Sequence, residues 1–148
     1  MSIYGSVSDG DLYFANLFGR DAWKEASVAD KNAALFEATQ TIEMYNYRGD
    51  KTDPNQTLQF PRGGDTVVPT NIVWAAYEEA YQILRGRDNE AEVKDLRVQQ
   101  RKFGQVVTQY MPGAKAPPNV AAGMLSSKAW RLLTPYFRLA EEIKLIRV

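Results

Sequence analysis

The chain contains neither cysteine nor histidine. The first absence removes disulfide frameworks and thiolate nucleophiles. The second removes the commonest metal ligand and the commonest general base near neutral pH. Together they exclude zinc centres built on Cys or His and most nucleophilic triads, leaving carboxylate-only chemistry and magnesium sites. No apolar run approaches the roughly 20 residues that span a bilayer, so no membrane partner is expected. Met1-Ser-Ile-Tyr-Gly lacks the basic start and apolar stretch of a signal peptide, and a cytoplasm-like compartment, or a particle assembled there, is expected. A charge of one sign is lacking too: 18 basic and 18 acidic residues give a formal net charge of +0. That argues against a protein that wraps nucleic acid, although a local basic patch remains open.

What is present fits one domain over residues 1–148. The chain is 45% hydrophobic and 24% charged, an ordinary globular balance. The periodicity predicts a mainly α fold: a small bundle of about four to five helices with a β-hairpin and an extended apolar C-terminal tail. Ser27 with Asp30 makes a capping-box pattern, and Ala34, Leu35, Ala38, Ile42 and Tyr45 then form one apolar stripe, so a long helix is expected over Val28–Tyr47 with Gly49 beyond it. A second strong helix, Pro69–Arg85, carries Val73, Ala76, Tyr77, Ala80 and Leu84 and ends at Gly86. The two are expected to form an antiparallel pair. Ahead of them lie an N-terminal arm over 1–7 and a helix over Asp9–Phe18 capped by Ser8, with Leu12, Ala15 and Phe18 on its apolar side and Tyr13 and Phe14 as further candidates for it. A turn of helix at Asp21–Glu25 carries Trp23, read as a core plug.

Both long helices show aromatic residues away from their buried stripes. Phe36, Gln40, Glu43 and Tyr47 share one outward face; Trp74, Glu78, Tyr81 and Arg85 share another. Either the terminal segments cover these faces or neighbouring subunits do, which makes Phe36, Tyr47, Trp74 and Tyr81 candidate subunit-interface residues.

The loop over 50–68 is long, and Leu58 and Phe60 are expected to pin it. Arg62-Gly-Gly-Asp is not followed by Gly-Lys-Ser/Thr, so it is no phosphate loop. Asp50 and Asp53 lack the glycine and glutamate of a calcium loop. Asp88 or Asn89 can cap a short helix to about Lys94. From Leu96 to Tyr110 the pattern has two readings: a hairpin turning near Gly104, or a helix continuing to Val107. A proline-bearing linker, Met111 to Asn119, precedes a last helix running to Leu133. The tail, 136–148, is too apolar to be simply solvated. It folds back or docks elsewhere.

Several stretches taken together resemble one family. They are Tyr13-Phe-Ala with Ala22-Trp23, Asp30-Lys-Asn-Ala-Ala-Leu with Ala38-Thr, Gly49-Asp-Lys-Thr-Asp-Pro-Asn-Gln, Leu58-Gln-Phe-Pro-Arg-Gly, Val68-Pro, Glu78-Glu-Ala-Tyr and Ala129-Trp-Arg-Leu-Leu-Thr-Pro-Tyr-Phe-Arg. In order and spacing these resemble the tailed-phage head–tail connector proteins (adaptor or head completion proteins), whose relatives are often labelled DnaT-like single-stranded-DNA-binding. The resemblance covers nearly the whole chain. It implies a helical bundle with a hairpin at 96–110 and a homo-oligomeric, typically dodecameric ring. It also implies a place in the virion neck, where the ring docks on the portal protein, meets a tail, tail-terminator or nozzle protein, and lets genomic double-stranded DNA pass. Tyr136, Phe137, Leu139, Ile143, Leu145 and Ile146 are the candidates for docking on the portal that the family resemblance implies. No catalytic residue, cofactor or metal comes with it.

Three functions are weighed. A structural ring adaptor needs two different sticky surfaces, which the outward aromatic faces could supply; zero net charge suits a channel through which DNA slides. A nucleic-acid-binding module could use Arg97, Arg101 and Lys102 beside Phe103 and Tyr110, weighed against ordinary solvated charges on a hairpin. An enzyme finds little here: Glu78 and Glu79, like Glu141 and Glu142, are adjacent in sequence and point apart on a helix, so neither pair is an acid–base dyad.

Overall fold

The computed structural model describes residues 2–102 and 117–138, with 96–102 as backbone only. Among these residues are seven α-helices: α1 Val7–Ala15, α2 Asp21–Glu25, α3 Val28–Glu43, α4 Thr70–Leu84, α5 Asn89–Lys102, α6 Pro118–Ala121 and α7 Ser127–Leu133, followed by a 3₁₀ turn over Thr134–Tyr136.

The α3–α4 pair is the frame. The Ser27 hydroxyl accepts the Asp30 amide at 3.1 Å and starts α3 as the sequence predicts. The helix ends at Glu43, short of the expected Tyr47. Ala34 and Leu35, with Ala38 just past the middle of α3, share one apolar cluster with Tyr77 at the middle of α4 and with Ala80 and Tyr81 in its second half. Ile42 near the end of α3 shares the other with Ile72, Ala75 and Ala76 near the start of α4. That crossing of first halves with second halves makes the pair antiparallel. Phe14 and Trp23 complete one cluster; Met124, Ala129 and Leu133 complete the other.

Both ends of the described chain are built into this core. Tyr4 is buried, its amide donates to Thr39 Oγ1 at 3.1 Å, and its hydroxyl donates to Glu43. Glu43 in turn accepts the Gln59 amide on both carboxylate oxygens at 3.0 Å. The 50–68 loop is thereby tied to α3. Phe60 is buried and Leu58 half-buried, so the two pinning residues sit as expected; the Phe60–Pro61 bond is cis. Arg62 donates to the carbonyls of Arg48 (3.0 Å), Gln59 and Gly49, closing the loop on itself. The side chain that invited a phosphate-loop comparison is thus spent on backbone oxygens.

Three expectations are corrected. First, there is no strand among the described residues, and the first arm of the expected hairpin, Leu96 to Arg101, lies within α5. The cause is composition: between Asn89 and Lys102 only Val93 and Val98 are β-branched, no glycine or proline intervenes, and Glu90 and Glu92 sit at the positive helix end. The second arm, 105–110, lies outside the described residues. Second, α1 starts two residues early: Ser6, not Ser8, caps it by accepting the Asp9 amide at 3.2 Å. Gly5 takes φ +77 directly before it, at a point where a Cβ would collide with the Tyr77 phenol. Third, the last helix is broken. Gly123 at φ +96 ends α6, and Ser126 opens α7 by accepting the Ala129 amide at 3.0 Å.

Candidate interaction surfaces

The side on which α1 packs decides what the molecule shows outside. Gly10 and Phe14, one turn apart, face the core, with Phe14 4.7 Å from the Trp23 ring between centroids. Leu12 therefore points the opposite way and is 68% exposed; Ala15 and Phe18 are exposed with it, which corrects their inward assignment. Between α1 and the first half of α4 this leaves an apolar groove of about 530 Å³, walled by Leu12, Tyr13, Leu17, Val68, Val73 and Trp74. Trp74 stands 40% exposed over it, its ring 5.6 Å from that of Tyr13, and Val67 beside the groove is also exposed. Among the described residues, Asp9 is the one charged side chain in the wall.

A second, polar cleft of about 310 Å³ lies between the α1–α2 loop, α4 and the start of α7. Its floor is the Glu78 carboxylate, 2% exposed, which accepts from the Tyr13 hydroxyl at 2.6 Å and from Lys128 Nζ at 3.0 Å. Arg20 Nη2 stands 3.9 Å off. Burial and this bond to a carboxylate both push the Tyr13 phenol above its ordinary value. Glu79, also buried, points elsewhere and accepts the Leu125 amide at 3.0 Å and the Ser126 amide at 2.8 Å. The two glutamates hold different segments and share no proton or ligand. No group of three or more acidic side chains among the described residues is placed to hold a metal ion, and no described helix is long and apolar enough to cross a membrane.

The structure brings few of the sequence-derived candidates together. Trp74 is exposed in the groove and Phe36 is half-exposed on α3. Tyr47 is buried, because α3 has already ended and the chain has turned back; Phe60 and Phe137 pack on its ring at 4.7 and 5.6 Å. Tyr81 is 9% exposed, with its ring beneath the Arg20 and Arg85 guanidinium groups. Neither Tyr47 nor Tyr81 presents an outward face. Tyr136 and Phe137 fold back: Tyr136 packs on Phe60, and Phe137 packs on Tyr45, Tyr47 and Trp130. Leu139, Ile143, Leu145 and Ile146 lie outside the described residues. Arg97, Arg101 and Lys102 lie on the last turns of α5 rather than on a hairpin, and Phe103 and Tyr110 lie outside the described residues.

Sequence reasoning missed Leu12 and Val67 as surface residues. The available signal was the four-residue step from Gly10 to Phe14, which fixes the buried side of α1 once Gly10 is read as a contact glycine.

A family model described as "Putative DnaT-like ssDNA binding protein" matches residues 3–148. No curated protein matches the chain, and no solved structure does.

Proposed function

The chain belongs to this DnaT-like family, and on that premise we propose that it is a structural subunit, a ring-forming adaptor that joins the portal of a phage capsid to the tail around the DNA channel. The observation that carries this reading is the bare apolar groove between α1 and α4. Burial of a Leu or Trp side chain is worth about 1.5–3 kcal/mol, and a monomer gains nothing from holding Leu12 and Trp74 in water. A second copy of the chain is the partner that a closed ring requires. The resemblance of the whole chain to head–tail connectors supports the ring and its place in the neck.

Leu12→Asp tests it. The side chain is 68% exposed, so the substitution leaves the fold intact. Expected is a well-folded monomer that no longer assembles, read by mass photometry of the protein alone and mixed with rings of the portal protein encoded in the same genome. Normal assembly of the variant refutes the reading.

The family description favours a second reading, a single-stranded nucleic-acid-binding module. Arg97 and Arg101 fall one turn apart on α5, with Lys102 next in the chain. Gel-shift binding of single-stranded oligonucleotides, weakening steeply with salt and lost on Arg97→Ala/Arg101→Ala, would favour it over the adaptor.

A further inference from the structure

We propose that the α1–α4 groove of one subunit receives the outer face of α3 from the neighbouring copy. The inference rests on the ring reading above and names the second of the two surfaces that such a ring needs.

The exposed apolar side chains fall into two groups. Among the described residues the large ones are Leu12, Phe18, Val28, Met44, Val67 and Trp74. Leu12, Val67 and Trp74 stand in or beside the groove, and Phe18 follows its wall residue Leu17. The other two, Val28 at 64% and Met44 at 79% exposed, mark the two ends of α3. Between them lies a seam. At roughly 100° per residue, Ala29, Ala33, Phe36, Gln40 and Met44 fall within about 80° of one another, opposite the buried stripe of Ala34, Leu35, Ala38 and Ile42. All five are exposed or half-exposed and none is charged; Glu37 borders them. The outward face of a helix that stays in water normally carries charge at its centre.

Seam and groove suit each other. The apolar face of a helix laid in an apolar groove is a recurring mode of recognition. Ala29 and Ala33 add little bulk, so the α3 backbone can approach near the short end of the roughly 8–10 Å interaxial range, with Phe36 as the large side chain that enters. Asp9 is the one charged side chain in the groove wall among the described residues, so little charge loses its water when the two meet. No residue of α3 lines the groove. The two faces are therefore different surfaces of one chain. A contact between them is head-to-tail, the kind that closes into a ring, and it is not self-satisfying as a two-fold contact would be. An unrelated occupant of the groove would leave the α3 seam bare; a second copy covers both.

The absence of cysteine makes the test direct. In the full chain, Leu12→Cys is paired with Gln40→Cys, and separately with Ala33→Cys, and disulfides are formed by mild oxidation of the assembled protein, free or on portal rings. Expected is a ladder of covalent multimers on a non-reducing denaturing gel from a double variant, and monomer from each single variant. An internal cross-link within one chain, no cross-link in either pair, or dimers from Leu12→Cys alone overturns the inference. Ala33 is exposed, so Ala33→Asp should stay folded by circular dichroism and abolish assembly as fully as Leu12→Asp does. If Leu12→Asp blocks assembly while Ala33→Asp leaves the ring mass unchanged, the groove stands as a subunit contact and α3 is not its occupant. If wild-type protein stays monomeric with and without portal rings, the ring reading fails and this inference fails with it.

Discussion

Glu79→Ala separates a structural tie from a surface ornament. The Glu79 carboxylate is 1% exposed and accepts two backbone amides, those of Leu125 and Ser126, which are themselves buried. It stitches the middle of α4 to the entry of α7. Truncation to alanine orphans both donors at about 1–3 kcal/mol each, and it relieves the cost of holding a carboxylate out of water. The net loss expected at pH 7 is therefore ~2–4 kcal/mol, about 5–15 °C in Tm for a chain of this size. Burial pushes the Glu79 carboxyl above its ordinary value of 4.5, with Glu92 adding to the rise; the two amides and Arg87 oppose it. The native state then binds this proton more tightly than the unfolded chain does. The wild type should gain stability as pH falls from neutral toward 4.5, and lose that gain as pH rises again through the folded value. Glu79→Gln should flatten that slope, because the titrating group is gone. The assay is urea unfolding followed by tryptophan fluorescence at several pH values. Trp130 lies on α7 and Trp23 in the opposite cluster, so the single-tryptophan variants show whether α7 lets go before the rest. An alanine variant within about 0.5 kcal/mol of wild type, the range of neutral surface changes, refutes the stitch. A glutamine variant with the wild-type pH slope refutes the titration argument.

Other outcomes follow from the same geometry. Gly10→Ala would ordinarily stabilise a helix by about 1 kcal/mol; here a Cβ lies 2.7 Å from the Trp23 ring, so calorimetry should show a lower Tm instead, and a rise would mean that α1 is free to shift. Tyr81→Asp places a charge in a buried site, so it should unfold the chain by circular dichroism rather than merely block assembly; a variant that stays folded as a monomer would put this side chain outside. Burial, with a smaller push from Glu79, raises the Tyr45 phenol to about 12, and Tyr4, Tyr13, Tyr47 and Tyr77 are raised as well, so their contribution holds below about pH 10 and is lost above it. Phenolate absorbance at about 295 nm should then appear together with unfolding, and independent titration near pH 10 in an intact fold would contradict the burial of these rings.

The parts legible in the sequence are those fixed by a local rule. Ser27 has one good position to cap, and the stripe from Ala34 to Ile42 has one way to face, so the α3–α4 pair follows from pattern alone. The N-terminal helix is different. Ser6 and Ser8 are equally good caps, and each has an aspartate three residues on. Only tertiary contacts choose between them: Gly5 against Tyr77, and Gly10 against Trp23. Those contacts put Phe14 in the core and leave Leu12, about 200° away around the helix, outside.

The same logic accounts for Tyr47. A helical wheel assumes that the helix continues, and α3 ends at Glu43, whose carboxylate holds the Gln59 amide of a loop that no periodicity describes. For residues 96–102, β-branched residues flanking Gly104 suggested a hairpin, yet the stretch before the glycine is made mostly of helix formers, and their propensity carries α5 through to Lys102. The groove is where these errors matter for function. The wheel placed interface residues on the outward sides of the two longest helices; of these Tyr47 and Tyr81 are buried, while Trp74 stands exposed in the groove. The opposite wall of that groove belongs to the short helix whose register the sequence leaves undecided, so half of the most informative surface of the chain depends on contacts made by two glycines.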